Sequence, residues 1–272
     1  MVNLNYSFCI ALQLLFWSCG APVKNTPALH AERIDTLEST SNDSIVFQND
    51  QFIIYRIDST TFFKDQLQAK YQRDTIASLS NLDEVRRRLN GRVKFVSYLE
   101  NGIGIDTLKE GNIIQRARFA DGTIIEAGEK DSKIDFLEMS FVKYFPSEEV
   151  ILLEGGHTSD QAIDLRRNKW DITEIGNLDY VYFSKNKKFR LNGLFEGQEC
   201  SMYFIQKKVN DVYETYSILP LSLGDKGFDL CTLNSIFWNN DEDLFFRNFY
   251  YGETNDDRLG FFKLHIISDE TK

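Results

Sequence analysis

The chain is expected to fold as a mainly β, α+β protein, with a short helical segment near residues 61–90 followed by an antiparallel β-meander that is either propeller-like or a sandwich. Three observations predict it. Downstream of Arg92, short apolar and aromatic runs alternate with polar turn residues at strand length. Helix start and stop signals are confined to the stretch before Gly91. Three later segments echo one another, each an aromatic strand end, a polar tight turn and an outgoing strand: Tyr144–Gly155, Tyr182–Gly193 and Phe237–Asn248.

The N-terminus stands apart from this pattern. Met1 to Cys19 contains no Asp, Glu, Lys or Arg, and Phe8–Trp17 is an apolar run of about ten residues, the length of a signal-peptide core and half of what spans a bilayer. The run ends in Phe16-Trp17-Ser18-Cys19, which resembles the signal of bacterial lipoproteins: a small residue before the cut, then a cysteine that receives diacylglycerol. Phe16 and Trp17 depart from the usual Leu and small residue, and no Lys or Arg precedes the apolar run. The resemblance implies residues 1–18 as signal peptide, lipidation at Cys19, and a cell-envelope address in the outer membrane, because Gly20 rather than Asp follows the cysteine, facing the periplasm, because Ala21–Pro27 holds no acidic cluster. It covers only the first nineteen residues and implies nothing about the rest.

Ser18 to Val46 contains no aromatic residue and holds two of the four prolines, Pro22 and Pro27. Such a composition cannot bury enough apolar surface to offset ordering entropy, so residues 19–48 read as a lipidated cysteine and flexible tether. Aromatics return at Phe47, and the chain from 49 to 268 is expected to form one β-rich domain, helical over 60–91 and built of strand repeats over 92–268. The net charge of −10 argues against nucleic acid as partner.

Asp50–Asp58 reads as a strand with Phe52, Ile54 and Arg56 on alternate sites. Thr60 or Thr61 then caps a helix through Phe63, Leu67, Lys70 and Tyr71. A second helix has Asn81 as N-cap, Glu84 three residues on, Val85 and Leu89 on one face and Gly91 as its stop. Arg86, Arg87 and Arg88 on it fan around a turn and read as solvated. The second echo continues into strands over Glu199–Lys208 and Tyr213–Leu219, the third into Leu259–Ile267, and Phe119–Ile125 is a shorter echo. The turn Ser184-Lys-Asn-Lys-Lys188 is similar in style to the Ser-Pro-Asp-Gly-Lys turns of bacterial β-propeller repeats, and the spacing brackets the roughly 40–50 residues of a four-stranded blade.

Chemistry is sparsely signalled. Gly155-Gly156-His157-Thr158-Ser159-Asp160 brings His, Ser and Asp together, but neighbours on one turn seldom converge on one acceptor, and a hairpin turn with glycines at φ > 0 explains the loop more cheaply. Asn239, Asp241 and Asp243 alternate like the start of a calcium loop, yet Leu244 and Tyr250 occupy the positions that need Gly and Glu, so no metal and no cofactor are expected. Cys200 and Cys231 form either a disulfide, closing a loop of about 30 residues for roughly 3 kcal/mol, or two buried thiols. The expected role is binding or assembly without catalysis, with the membrane engaged through the lipid and an envelope protein or carbohydrate as partner. The alternatives are an envelope hydrolase using His157 with Asp160 or Asp164, and a cytosolic interaction or immunity protein.

Overall fold

In the computed structural model, described for residues 44–100, 105–126, 139–197, 201–223, 228–230, 232–248 and 260–267, the chain is mainly β, with its strands in antiparallel sheets. It opens with a hairpin, β1 (Ser44–Gln48) and β2 (Phe52–Ile57), closed by Asn49, whose Oδ1 accepts from the backbone N–H groups of Gln51 and Phe52, both at 2.8 Å. β1 lies within the stretch read as tether; its Val46 and Phe47 pack on the core, so the fold starts before the aromatic residues return.

Two helices follow. α1 (Ser59–Ala69) is capped by Asp58, whose carboxylate accepts from Thr61 N at 2.9 Å and Thr61 Oγ1 at 2.7 Å. This corrects the expectation of a threonine cap: Asp58 holds the extended conformation a cap needs, and Thr61 sits three residues inside. The helix expected through Tyr71 ends at Ala69, with Lys70 left-handed at φ 46°, and it buries Phe62 while Phe63 and Leu67 are 45% and 79% exposed. α2 (Leu82–Arg88) matches its signals, with Asn81 Oδ1 accepting from Glu84 N at 3.1 Å, Val85 and Leu89 buried, and Gly91 left-handed at φ 78°.

The chain then lays down a second sheet of β3 (Val93–Tyr98), β4 (Ile105–Asp106), β5 (Ile113–Arg118), β6 (Ile124–Glu126), β7 (Ser140–Phe145), β8 (Val150–Glu154) and β9 (Asp160–Asp164). Its order is β4-β3-β5-β7-β8-β9, with β6 paired to β5. One turn of helix, α3 (Ile172–Ile175), leads into a third sheet, ordered β10 (Tyr182–Phe183), β11 (Phe189–Phe195), β12 (Ser201–Val209) and β13 (Val212–Ile218). A two-stranded ribbon, β14 (Ser222–Leu223) and β15 (Phe228–Asp229), precedes β16 (Leu233–Trp238), β17 (Asp243–Asn248) and β18 (Phe261–Ile266). These last strands join the first hairpin in the order β1-β2-β18-β17-β16, with Ile57 opposite Phe261 and Phe52 opposite Ile266.

Core membership shows how the sheets stack. Phe52, Ile54, Leu264 and Phe246 of the first sheet share a cluster with Phe189, Leu191, Tyr203 and Ile205 of the third. Val150, Leu152 and Ala162 of the second share another with Phe183 and Tyr213 of the third. α2 covers the opposite face of the second sheet and α1 that of the first. The third sheet is therefore covered on both faces, and Phe189 to Leu194 are all buried. Its face towards the second sheet carries polar side chains. Arg190 donates from Nε to Gln206 Oε1 at 2.6 Å, and Asn192 and Gln206 donate to the Ile175 carbonyl at 2.9 and 3.4 Å, satisfying the end of α3.

All described residues fall in one compact unit, Ser39–Lys272. None of its helices, among the described residues, is long and apolar enough to cross a membrane.

Candidate functional site

The three echoing segments are three hairpins, β7–β8, β10–β11 and β16–β17, and Phe119–Ile125 spans the turn between β5 and β6. The first two turns end in a left-handed residue, Glu149 at φ 54° and Lys187 at φ 60°. The third is set by Asn240, whose Oδ1 accepts from Glu242 N and Asp243 N, both at 2.7 Å.

Asp241 joins the third turn to the second. Its carboxylate accepts from Ser184 Oγ at 2.8 Å and from Asn186 N and Nδ2, both at 2.7 Å. Burial alone would raise this carboxyl, but those donors outweigh it and hold it below the ordinary aspartate range. Glu148 in the first turn faces the third sheet, accepting from Arg190 Nη1 at 3.3 Å. Arg190 is 1% exposed and lies 4.1 Å from the centre of the Tyr213 ring. Burial pulls its guanidinium down to about 10 and pushes the Tyr213 phenol up to about 12. Tyr213 closes the circuit by donating to the Lys187 carbonyl at 2.7 Å.

A strap, residues 70–79, crosses these turns between α1 and α2. Tyr71 donates to Phe183 O at 3.0 Å; Arg73 donates from Nε to Val181 O at 3.1 Å, bonds Asp179 O, and stacks 4.2 Å above the Tyr182 ring. Asp74 pairs with Lys187 at 2.9 Å. Leu79 and Tyr144 exchange backbone hydrogen bonds of 2.8 and 2.9 Å.

Two hollows flank the strap and share Asp74 and Phe183. The smaller, about 240 Å³, reaches Tyr71, Trp238 and Asn239. The larger, about 470 Å³, is walled by Ser147, Glu148, Lys187, Lys208, Asp211 and Tyr213. Lys208 and Asp211 pair at 2.9 Å on its rim. Polar groups of both charges around an open concavity suit hydrogen-bonded recognition of a polar ligand or a chain segment. Sequence reading passes over Glu148, Arg190 and Tyr213, and registers Lys187 as turn chemistry alone. The available signal was the common position of the three turns within the echoes.

The glycine-rich loop forms the β8–β9 hairpin, with one 3-10 turn over Gly156–Thr158. Its left-handed residue is Thr158, φ 63°, rather than a glycine. Gly155 serves close approach, since an added Cβ would stand 2.8 Å from Ser159 Oγ. Ser159 donates from Oγ to Gly156 O at 3.0 Å. Asp160 Oδ2 accepts from Phe195 N at 2.8 Å, and burial raises its carboxyl. Asp164 is fully buried, accepts from Arg166 N and Arg167 N at 2.9 Å each and pairs with Arg167. Asp160 thus ties β9 to β11, while Ser159 and Asp164 brace the turns at its two ends. The His157 side chain, Cys19, Cys200 and Cys231 lie outside the described residues. Asp241 and Asp243 direct their carboxylates to protein donors, and no group of three or more His, Cys, Asp or Glu side chains placed to hold a metal occurs among the described residues.

Comparison with protein-family models, with curated proteins and with solved structures finds no match to this chain.

Proposed function

We propose that the protein is a lipid-anchored binding module of the cell envelope, attached through Cys19, which holds an envelope protein or carbohydrate partner at the strap cleft. The observation that carries the binding role is the convergence of the β7–β8, β10–β11 and β12–β13 hairpins and the 70–79 strap on one open concavity of about 470 Å³. Its polar groups are held by a buried scaffold, Arg190 with Glu148, Gln206 and Tyr213, which keeps the wall in one arrangement before any ligand arrives. The anchor rests on the uncharged run that ends at Ser18-Cys19 and on the aromatic-free stretch after it. Two acyl chains on a processed cysteine would anchor stably, where one binds marginally.

Two measurements test the two halves. Intact mass of the protein from isolated membranes should show a chain beginning at Cys19 with added acyl mass, lost in Cys19→Ala; a full-length unmodified chain overturns the anchor. A photoreactive residue replacing Lys208 should give an adduct in intact cells that one replacing Lys64 on α1 does not. Equal yields at the two positions overturn the cleft as the binding face.

A further inference from the structure

The chain is acidic overall, yet eight Lys or Arg lie between Arg86 and Arg118 against three Asp or Glu. The fold gathers most of them. A groove of about 320 Å³ runs between the end of α2, the start of β3 and the turn after β4, and Arg86, Val93, Lys94, Leu108, Lys109 and Glu110 are among the residues that line it. Lys94 stands directly opposite Arg116 across the β3–β5 ladder, so their side chains share a face, and Arg118 shares it two residues on. Like charges directly opposite each other on a sheet destabilise it, and Glu126, the partner of Arg116 on β6, is the acidic residue among the described cross-strand neighbours of these cations. Lys94, Lys109, Arg116 and Arg118 form no ion pair among the described residues. Arg86 pairs with Asp83 at 3.0 Å and Glu110 at 3.3 Å, while its buried Nε has no hydrogen-bond partner.

Two apolar side chains are exposed on the elements that flank β3 and β5. Leu108, at the turn after β4, is 96% exposed, on a tip fixed by Asp106 Oδ1 accepting from Leu108 N at 3.0 Å. Ile124 is 41% exposed and is the cross-strand partner of Arg118. A leucine held out on a rigid turn gains nothing in water. Cations with a protruding aliphatic side chain match the interface of an anionic bilayer, where the charges meet headgroups and the aliphatic groups enter the acyl boundary. A nucleic acid would use the cations but leave Leu108 and Ile124 exposed.

We propose that this face, Lys94, Lys109, Arg116 and Arg118 around Leu108 and Ile124, docks on the surface of an anionic lipid bilayer. The proposal is independent of lipidation and of the strap cleft. It applies to the domain itself, and it orients the domain on whichever anionic membrane it meets.

The test uses the full chain carrying Cys19→Ala, so that no acyl group contributes, in flotation with phosphatidylcholine vesicles and with vesicles containing about one-third phosphatidylglycerol. The apolar N-terminal run is the same in every variant, so differences between variants report the face alone. Lys94→Glu with Lys109→Glu is expected to lower partitioning onto the anionic vesicles by about tenfold or more, and added salt to weaken the parent in the same direction. Leu108→Ser should lower it several-fold, with folding checked by circular dichroism; both changes lie at the surface. Variants that partition like the parent, or a parent that binds neutral and anionic vesicles alike, would overturn the docking face. So would binding of duplex DNA that these variants abolish while vesicle binding stands. Membrane isolates that lack an acylated Cys19 would overturn the anchor and leave this result untouched.

Discussion

Asp243 shows how one side chain holds a strand end. Its Oδ1 meets His265 Nδ1 at 2.8 Å and Lys263 Nζ at 3.1 Å, and its Oδ2 accepts from Asn240 Nδ2 at 2.9 Å, so it links β17, β18 and the turn before β17. Burial alone would raise the carboxyl; the bonds from His265 and Asn240 and the charge of Lys263 reverse this and bring it to about 2, against 3.8 as reference. A carboxyl depressed by folding contributes stability that is complete above its unfolded value and is lost as pH falls through 3.8 towards 2. The contribution at neutral pH is roughly 2 kcal/mol. Asp243→Asn should therefore lower the urea midpoint at neutral pH, with the gap from the parent narrowing below about pH 4. A gap independent of pH would assign the loss to altered hydrogen bonding rather than to the charge. Asp243 was legible as a polar turn residue whose spacing imitates the start of a calcium loop, and not as a clamp between strands. The same limit hid Arg190, Asn192 and Gln206, because charged and amide side chains read as surface, and their burial depends on a second sheet arriving over them.

Elements were more legible than residues, because caps and turns are local chemistry. Asn81 with Gly91 delimits α2, and the aromatic, polar-turn, aliphatic pattern locates the three hairpins. α1 is the instructive exception. Its sequence offers two apolar stripes, and the choice between them is made by Phe237, Phe245 and Phe261 of the first sheet, whose rings lie 5.2, 6.4 and 5.0 Å from that of Phe62. Spacing on the helix alone cannot make that choice. Phe62→Ala should cost about 3–5 kcal/mol through transfer and cavity terms. Leu67→Ala, at a position 79% exposed, should change stability by less than about 0.5 kcal/mol. Thermal or urea unfolding of the two variants measures the difference, and comparable losses would mean that α1 packs on its other stripe.

At the scale of the whole molecule the decisive contact joins residues far apart in the chain. β2 lies beside β18, and no local signal specifies that pairing; it is imposed by the apolar faces of both strands, Phe52 and Ile54 with Phe262, Leu264 and Ile266, all within the core shared with the third sheet. The expectation of a propeller-like ring or a sandwich stopped short of this topology, in which three antiparallel sheets stack in series and the strands nearest the two ends complete one of them. Ordering β2 makes a specific demand on the N-terminal boundary. A chain starting at Ser39 retains the compact unit and should unfold as the full chain does, in one transition. A chain starting at Ser59 lacks Phe52 and Ile54, whose full burial is worth roughly 1.5–3 kcal/mol each. It also leaves the apolar strand β18 as an open edge. With total stability of a domain typically about 5–15 kcal/mol, that chain should be largely unfolded or aggregated. A separate peptide spanning 39–58 should restore folding by adding its strands to β18, seen as recovery of a cooperative transition that depends on peptide concentration. Equal stability of the chains starting at Ser39 and Ser59 would show that β2 does not close the sheet. Rescue by the peptide would establish that the strand beside the proposed tether is a working part of the fold.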